Sequence, residues 1–458
     1  MPIRNSFLVL FVTVVSFVCY DQAQRNRFAT LYAEAAERIS TNYVEQVNRR
    51  ELFESAMKGM LEDLDPYSSY IGLEEYADFR EDLNQKFGGI GIIVSPEQNT
   101  KQLVVLSPVF GTPAHRAGIL AGDIILEVDG ESIEGWSLRE SVERLRGRPG
   151  TQVSITVQQK DEAKPREITI VRALIKVPSV LGDTRTPEGS WQYILHDYPY
   201  IGYIRLTKFG EQTVEELQSV LADLNQQELA GLIIDLRWNA GGLLSAAVDT
   251  CDMFIDGGVI VSTRGRGGNV LSTEQATRDI AVDLKMPMAV LVNQFSASAS
   301  EIVAGCLQDH DRAVIVGVRT WGKGTVQNVI PLEIGKSVMK LTTATFWRPS
   351  NKNIHRSKKA TDEDKWGIIP NEGFEVKLSN EENRKVARAR NKEEIATGDL
   401  DPESDEESPS SESSNDVQPA ESSTNDVENG TEFIDPQLRR AVEFIEQAKQ
   451  KSESPTAT

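Results

Sequence analysis

The amino-acid sequence predicts an α/β core that follows a β-rich domain and a small helical domain. Three changes of pattern support this prediction. Apolar residues recur at helical spacing from residue 25 to about 85, short β-rich runs fill about 87–172, and buried strands alternate with helices from about 173 to 378. The length of 458 residues agrees, because domains usually hold about 100–200 residues each.

The composition suggests where these parts begin and end. We assign residues 1–24 to a signal peptide or N-terminal anchor, 25–85 to the helical domain, 86–172 to the β-rich domain and 173–385 to the α/β core. Residues 386–432 form an acidic segment that has too few apolar side chains to bury a core, so we predict disorder there. A C-terminal helix and tail occupy residues 433–458.

The first residues are typical of an export signal. Arg4 precedes an apolar run from Phe7 to Tyr20, which has the length of a signal-peptide core and is shorter than the ~18 residues of a spanning helix. No clean small-x-small cleavage site follows, and Val18 disrupts the lipobox-like "SFVC". The sequence therefore predicts export and leaves a cleaved signal and an uncleaved anchor open.

Charge and cysteine content exclude several classes of function. The net charge of −20 argues against nucleic acid or an anionic membrane surface as the main partner. Cys19, Cys251 and Cys306 are widely spaced and form no C-x-x-C pair, so we expect neither a disulfide framework nor a cysteine metal site. Cys251 and Cys306 are expected to be buried apolar residues. No H-x-x-x-H pair occurs either, and we predict no metal and no cofactor.

The segment "NQFSASASEIVAG", residues 293–305, follows an apolar strand and precedes a helix. A sharp strand-turn-helix connection exposes a hydroxyl at its tip, here Ser298, while backbone amides and the helix dipole face a developing oxyanion. Ser300, which precedes Glu301, is predicted to be the N-cap of the helix, and Ser296 to support the turn. Taken alone, this segment favours the alternative that all three serines are turn and cap residues that perform no chemistry.

The segment "RTWGKGTVQ", residues 319–327, places Lys323 between two glycines and close to Trp321. Desolvation of a lysine lowers its pKa towards that of a useful base, although an ordinary solvated lysine is the common alternative. Gln327 is a neutral side chain that could orient an uncharged amine. The four histidines offer no better base; they are His115, His196, His310 and His355.

The segment "DLRWNAGG", residues 235–242, directly follows the apolar strand "LAGLIID". Paired glycines at a strand end permit close backbone approach, and their amides can form a nest for an anion. A simple turn is the alternative.

Together these segments resemble the carboxyl-terminal processing peptidases, also called tail-specific proteases. The family patterns D-L-R-x-N-x-G-G, N-x-x-S-A-S-A-S-E and T-x-G-K-G-x-x-Q occur in this order, and "AMKGMLEDLDPYSSYI", "GYIRLTKF" and "GIIPN" are further signatures. The resemblance covers about residues 30–378 and implies an α/β core related to the Clp protease and crotonase superfamily. Departures from the usual residues occur at Tyr67, Ala240 and Trp321.

This resemblance implies a serine endopeptidase. The middle serine of the S-A-S-A-S run, Ser298, would be the nucleophile, and Lys323, 25 residues later, would be its base, supported by Gln327. The oxyanion hole would consist of the backbone amides of Gly242 and Ala299.

The β-rich domain resembles a PDZ domain through "FGGIGI" and "AGILAGDIILEVDGESI". The resemblance implies that this domain captures the C-termini of polypeptide substrates, apolar ones preferentially, and gates access to the cleft. The carboxylate-binding loop would comprise Phe87, Gly88, Gly89, Ile90, Gly91 and Ile92.

Two classes of function follow from these patterns. The first is an endopeptidase that cleaves exported proteins, either in the periplasm or anchored to a membrane and facing the periplasm. The alternative is a catalytically silent PDZ scaffold, which the intact Ser298, Lys323 and Gln327 disfavour. An acyl-CoA enzyme on a crotonase-like core is weaker, because no nucleotide-binding signature is present. Membrane association through the N-terminus and homo-oligomerisation are left open.

Overall fold

The computed structural model describes most of the chain as two compact units. One unit comprises Met1–Asp78 with Val326–Thr343, and the other comprises Phe79–Thr325 with Ala344–Thr458. The described residues are 3–97, 102–159, 164–186, 189–278, 280–333, 337–361, 363–394 and 433–453.

The first unit is mainly helical. Its elements are α1 (Ile3–Asn42), α2 (Arg49–Glu62), β1 (Ser69–Ile71) and the beginning of α3 (Leu73–Asn84). Helix α1 continues through the boundary predicted at residue 24, because no glycine or proline interrupts it. Strand β1 pairs antiparallel with residues 338–340, a partner that local periodicity does not reveal. None of the helices in the described ranges is both long enough and apolar enough to cross a membrane.

The β-rich domain begins the second unit. Its elements are β2 (Lys86–Gly89), β3 (Ile92–Pro96), β4 (Leu103–Pro108), α4 (Pro113–Arg116), β5 (Ile124–Val128), β6 (Glu131–Ser132), α5 (Leu138–Leu145), β7 (Gln152–Gln158), β8 (Arg166–Val171) and β9 (Ala173–Lys176). Its sheet follows the order β3-β4-β5-β7-β8, with β6 beside β5, so that β3 forms one edge. Strands β2 and β9 pair with each other where the domain begins and ends.

Helix α5 has a capping box at its N-terminus. The side chain of Ser137 accepts a hydrogen bond from the amide of Glu140 at 3.2 Å, and the Glu140 carboxylate accepts the amide of Ser137 at 2.7 Å. The helix ends at Leu145, with Arg146 as its C-cap.

The α/β core occupies the rest of the second unit. Its first elements are β10 (Val180–Leu181), β11 (Thr184–Arg185), β12 (Trp191–Gln192), β13 (Ile194–Leu195), β14 (Tyr198–Leu206), α6 (Thr213–Leu224), β15 (Gly231–Asp235), α7 (Leu244–Asp252), β16 (Val259–Arg264) and β17 (Val270–Gln275). They are followed by β18 (Met288–Val292), α8 (Ala299–Asp309), β19 (Val314–Gly317), β20 (Thr325–Glu333), β21 (Ser337–Trp347), α9 (Asn380–Glu394) and α10 (Pro436–Glu453).

Strands β14, β15, β18 and β19 are adjacent and parallel, which confirms the predicted parallel α/β layer. Every residue of β15 and β18 is buried, as expected for strands that are covered on both faces. Cys251 and Cys306 are fully buried in α7 and α8, which confirms the expectation for them.

Of the two C-terminal helices, α9 departs from the predicted boundaries and α10 agrees with them. Helix α9 continues to Glu394, so residues 386–394 are helical and the predicted start of disorder at residue 386 is wrong. The remainder of that predicted segment, residues 395–432, lies outside the described residues. The C-terminal helix predicted after residue 433 is confirmed as α10, and residues 454–458 also lie outside the described part.

Helix α10 is an integral part of the core. Its residues Ala441, Val442 and Ile445 are almost fully buried and pack in one cluster with Ile233 of β15. A side chain at Gly231 would overlap Ile445, so α10 lies directly against the sheet. The neighbouring Leu232 points to the opposite face, where it lies beside Leu221 and Leu224 of α6. The parallel sheet is therefore covered by α10 on one face and by α6 on the other.

Candidate active site

Three segments that the sequence singled out follow three adjacent parallel strands. "DLRWNAGG" begins at the last residue of β15, "NQFSASAS" follows β18, and the glycine-lysine loop follows β19. The strand order places β18 between β15 and β19. Because ligands of α/β sheets bind outside the carboxyl ends of the strands, these segments form the candidate active site.

Ser298 lies in the connection between β18 and α8 with an unusual backbone conformation. Its φ is 56° and its ψ is −114°, a combination that a residue with a side chain rarely adopts. Ser298 remains partly exposed, whereas Ala297 and Ala299 on either side are buried. A strained strand-turn-helix corner that presents one accessible hydroxyl is the arrangement of a nucleophile elbow.

The other two serines of the run have structural contacts. The hydroxyl of Ser296 donates to the carbonyl of Leu236 at 2.8 Å and accepts the amide of Asn293 at 3.0 Å, which confirms its predicted role in the turn. The prediction that Ser300 is the N-cap is wrong. Helix α8 begins at Ala299, and Ser300 lies in its first turn and donates to the carbonyl of Asn239 at 2.8 Å. The strained backbone of Ser298 starts the helix earlier than the cap preference of Ser300 suggests.

The loop that carries Lys323 is held on two sides. The amide of Trp321 donates to the carbonyl of Ser296 at 3.0 Å, which joins this loop to the serine turn. On the other side, the amide of Arg356 donates to the carbonyl of Gly322 at 2.8 Å. A Cβ at Gly324 would lie 2.6 Å from the backbone nitrogen of His355, so glycine is required there. Lys323 itself is half-buried.

The carboxylate of Glu301 joins the serine turn to the lysine loop. Its Oε2 accepts the amide of Ser298 at 2.9 Å and the amide of Lys323 at 2.8 Å. Its Oε1 accepts the amide of Gly322 at 2.7 Å and the hydroxyl of Thr320 at 2.5 Å. The backbone nitrogens of Ser298 and Lys323 therefore lie within two hydrogen-bond lengths of each other, across one oxygen atom.

Burial raises the pKa of Glu301 to about 6, although the hydrogen bonds from Thr320, Gly322, Lys323 and Ser298 act in the opposite direction. The side chain is completely buried. Sequence reasoning noted Glu301 only as a neighbour of a cap, and missed this role. An acidic residue three positions after the proposed nucleophile, inside an apolar helix start, was the available signal.

Gly241 and Gly242 allow the "DLRWNAGG" loop to approach its neighbours closely. A Cβ at Gly241 would lie 2.8 Å from Cβ of Ser298, and a Cβ at Gly242 would overlap the carbonyl oxygen of Phe209. Both glycines also have positive φ angles, 103° and 150°. Ala299 is the first residue of α8, so its amide belongs to the turn whose donors have no partner within the helix. These contacts bring Gly242 and Ala299 to the same corner as Ser298.

Gln327 belongs to the first unit, whereas Ser298 and Lys323 belong to the second. Its side-chain amide donates to the hydroxyl of Thr342 at 3.1 Å, and that hydroxyl donates to Asp65 at 3.1 Å. Burial raises the pKa of Asp65, but hydrogen bonds from Ser68, Tyr67 and Thr342 outweigh this effect and hold it below the usual value. The predicted catalytic role of Gln327 stays a prediction.

The predicted carboxylate-binding loop leads from β2 into the edge strand β3. The carbonyl of Ile90 accepts the amide of Ala114 at 2.9 Å, and that of Gly91 accepts the amide of Val109 at 2.9 Å. Ile90 is buried in the core of the domain, and Gly91 has a φ of 82°. The loop is therefore rigidly held, with these carbonyls turned towards the domain.

The sequence of each part matches a known family. Residues 200–371 match "Peptidase family S41", residues 104–159 match "PDZ domain", and residues 20–75 match "Activating protease CtpB N-terminal domain". These matches agree with the fold class that the sequence predicts, an α/β core with an inserted PDZ domain and an N-terminal helical domain.

Similar proteins are found in several bacteria. The chain is 40% identical over 358 residues to a "Carboxy-terminal-processing protease" of Bartonella bacilliformis, covering 77% of this chain and 79% of that protein. It is 33% identical over 337 residues to "Carboxy-terminal processing protease CtpB" of Bacillus subtilis, covering 73% and 67%. Among solved structures, the "Photosystem II D1 C-terminal processing protease" is 28% identical, with a TM-score of 0.41, covering 76% of this chain and 92% of that one.

These matches extend over the segments that converge at the corner of Ser298, and they include relatives above 30% identity over more than two thirds of both chains. The chain therefore belongs to the carboxy-terminal processing proteases of peptidase family S41 and is a serine-type peptidase with a PDZ domain.

Proposed function

We propose that this chain is an endopeptidase in which Ser298 is the nucleophile and neutral Lys323 is the general base. The observation that carries the proposal is the carboxylate of Glu301, because one of its oxygens accepts the backbone amides of both residues. A serine and a lysine that are fixed to a common anchor keep their relative position during turnover. Such positioning is a major part of catalysis by a nucleophile and its base.

The reaction follows from these roles. The amine of Lys323 takes the proton of the Ser298 hydroxyl, and Oγ attacks the peptide carbonyl carbon. The resulting oxyanion accepts hydrogen bonds from the amides of Gly242 and Ala299. The C–N bond then breaks, and the leaving amine takes the proton from the ammonium of Lys323. Water gives a proton to Lys323 and attacks the acyl carbon, the ester bond to Ser298 breaks, and the Lys323 ammonium returns the proton to the Ser298 oxygen.

The substrates in this proposal are polypeptides whose C-termini bind the PDZ domain. Strand β3 is an edge strand, so an extended peptide can add to it through main-chain hydrogen bonds. The terminal carboxylate would bind the backbone amides of residues 87–92, and apolar side chains at the C-terminus would be preferred.

A peptide series tests the substrate class. The purified protein is incubated with peptides that differ only in their last three residues, in free-acid and C-terminally amidated forms, and the products are identified by mass. We expect faster internal cleavage of peptides with apolar ends and a loss of this preference on amidation. Equal rates for all peptides would contradict PDZ-directed cleavage, and binding without any product would favour the silent scaffold.

Export is a further part of the proposal, and it rests on Arg4 and the apolar run from Phe7 to Tyr20. The protein would act in the periplasm, either free or anchored to the membrane with its catalytic part facing the periplasm. N-terminal sequencing of the protein from fractionated cells distinguishes a cleaved signal from a retained anchor. Recovery of the intact chain in the cytoplasmic fraction would contradict export.

Association between copies is proposed on the basis of helix α1. Phe28, Leu31, Tyr32 and Ile39 lie at helical spacing and are exposed in the described chain. Light scattering of the full chain across a range of concentrations tests this association, and a monomer at all concentrations would contradict it.

A further inference from the structure

The start of helix α10 is attached to the "DLRWNAGG" loop. The guanidinium of Arg237 donates to Asp435 at 2.7 Å and to the side-chain oxygen of Gln437 at 3.0 Å. The other oxygen of Asp435 accepts the amides of Gln437 and Leu438, at 3.0 and 3.2 Å, and thereby caps the helix. Asp435 therefore has two separable roles, as a helix cap and as an ionic partner of Arg237.

Arg237 is fixed in a buried ionic cluster. Its side chain is 1% exposed and forms an ion pair with Asp235. The Asp235 carboxylate also accepts a hydrogen bond from the hydroxyl of Tyr203 and forms an ion pair with Arg390. Burial and the nearby Arg390 lower the pKa of a neighbouring arginine, Arg205, to about 10. Burial opposes ionisation of Asp435, but Arg237 and Arg390 outweigh it and hold the pKa of Asp435 below its usual range. An uncompensated guanidinium would be costly in this cluster.

The residues after Arg237 connect it to the corner of Ser298 in the candidate active site. Trp238, with a φ of 59°, donates its amide to the side chain of Asn293 at 3.0 Å. The backbone carbonyl of Asn239 accepts a hydrogen bond from the amide of Ala297 at 3.0 Å. The side-chain oxygen of Asn239 accepts one from the amide of Gly241 at 2.8 Å. A shift of Arg237 would therefore be transmitted to Gly242 and to the turn that carries Ser298.

We propose that Asp435 is a positioning residue of the peptidase, which acts through Arg237 to hold the amide of Gly242 where the oxyanion forms. This inference rests on the proposed oxyanion role of Gly242. Helix α10 therefore contributes to turnover and also covers one face of the sheet.

The test is Asp435→Asn in the full chain. Asparagine is as good an N-cap as aspartate, so α10 stays capped while the charge that holds Arg237 is lost. We expect kcat for a cleavable peptide to fall by about 10- to 100-fold with KM changed less than twofold, because the oxyanion contact matters in the transition state. A peptide aldehyde, which forms a tetrahedral adduct with a catalytic serine, should bind more weakly by a similar factor.

Two further variants make the result unambiguous. Glu443→Gln removes an exposed ion-pairing residue of the same helix and should leave kcat unchanged. Gln437→Met removes the second acceptor of Arg237 without altering the residue that caps α10, and should also lower kcat. If Asp435→Asn unfolds below the assay temperature, kcat of Gln437→Met is used to test the inference instead.

Wild-type kcat and aldehyde affinity in folded Asp435→Asn would overturn the inference, as would a change in KM alone. Unchanged kcat in Gln437→Met would overturn it if Asp435→Asn does not fold. The proposed function fails separately, if Ser298→Ala or Lys323→Ala still cleaves the peptide at rates near that of the wild type.

Discussion

Ser298→Ala and Lys323→Ala are each expected to abolish peptide cleavage, with kcat lowered by at least about 10⁴-fold. Alanine at residue 298 removes the proposed attacking oxygen, and alanine at residue 323 removes the group proposed to accept its proton. The effects should not add in the double variant, because the two groups act in the same step. Steady-state rates with a fluorogenic peptide measure this, and the wild-type rate should rise with pH as the neutral amine becomes more abundant.

Matched substitutions elsewhere control for this prediction. Ser357→Ala and Lys359→Ala alter exposed residues and should keep wild-type activity. Thermal unfolding of all variants checks that the fold is retained. Cleavage by purified Ser298→Ala or Lys323→Ala at rates near that of the wild type would show that the nucleophile or the base lies elsewhere.

Glu301→Gln should produce the second large effect. The substitution keeps the shape of the side chain but replaces one oxygen, which accepts two donors, by an amide group that cannot accept them. A buried N–H group left without a partner costs about 1–3 kcal/mol of stability. Since the same carboxylate anchors Ser298 and Lys323, we expect kcat to fall by about 10- to 100-fold.

The pH dependence of stability tests Glu301 independently of activity. Its pKa of about 6 in the folded chain lies above the usual value of 4.5, so the folded protein binds this proton more tightly than the unfolded chain. The associated stability is fully present below pH 4.5 and is lost as the pH rises through 6. The free energy of unfolding of the wild type should therefore fall by about 2 kcal/mol relative to Glu301→Gln over this window.

Denaturant unfolding at several pH values measures this difference, and Glu363→Gln, at an exposed glutamate, is the control. Parallel stability curves for the wild type and Glu301→Gln would contradict the assigned environment of the carboxylate. Unchanged kcat in Glu301→Gln would contradict its anchoring role.

The local parts of the fold follow from the sequence. The buried strands β15 and β18 were visible as continuous apolar runs. The three segments of the candidate active site were also visible, because the glycines and small residues that close approach requires are consecutive in the chain. Strand ends of one parallel sheet then bring these segments together.

The sequence by itself identified the candidate segments of the active site, the PDZ domain and the α/β class of the core. The tertiary structure decided how those segments are connected. Glu301 was expected to be an ordinary residue of a helix start, and only the position of the lysine loop, more than twenty residues away, makes it an anchor. Likewise, β1 pairs with residues 338–340, and Asp435 reaches Arg237 across nearly two hundred residues. Such contacts join residues distant in the chain and leave no periodic pattern, so only the folded chain shows them.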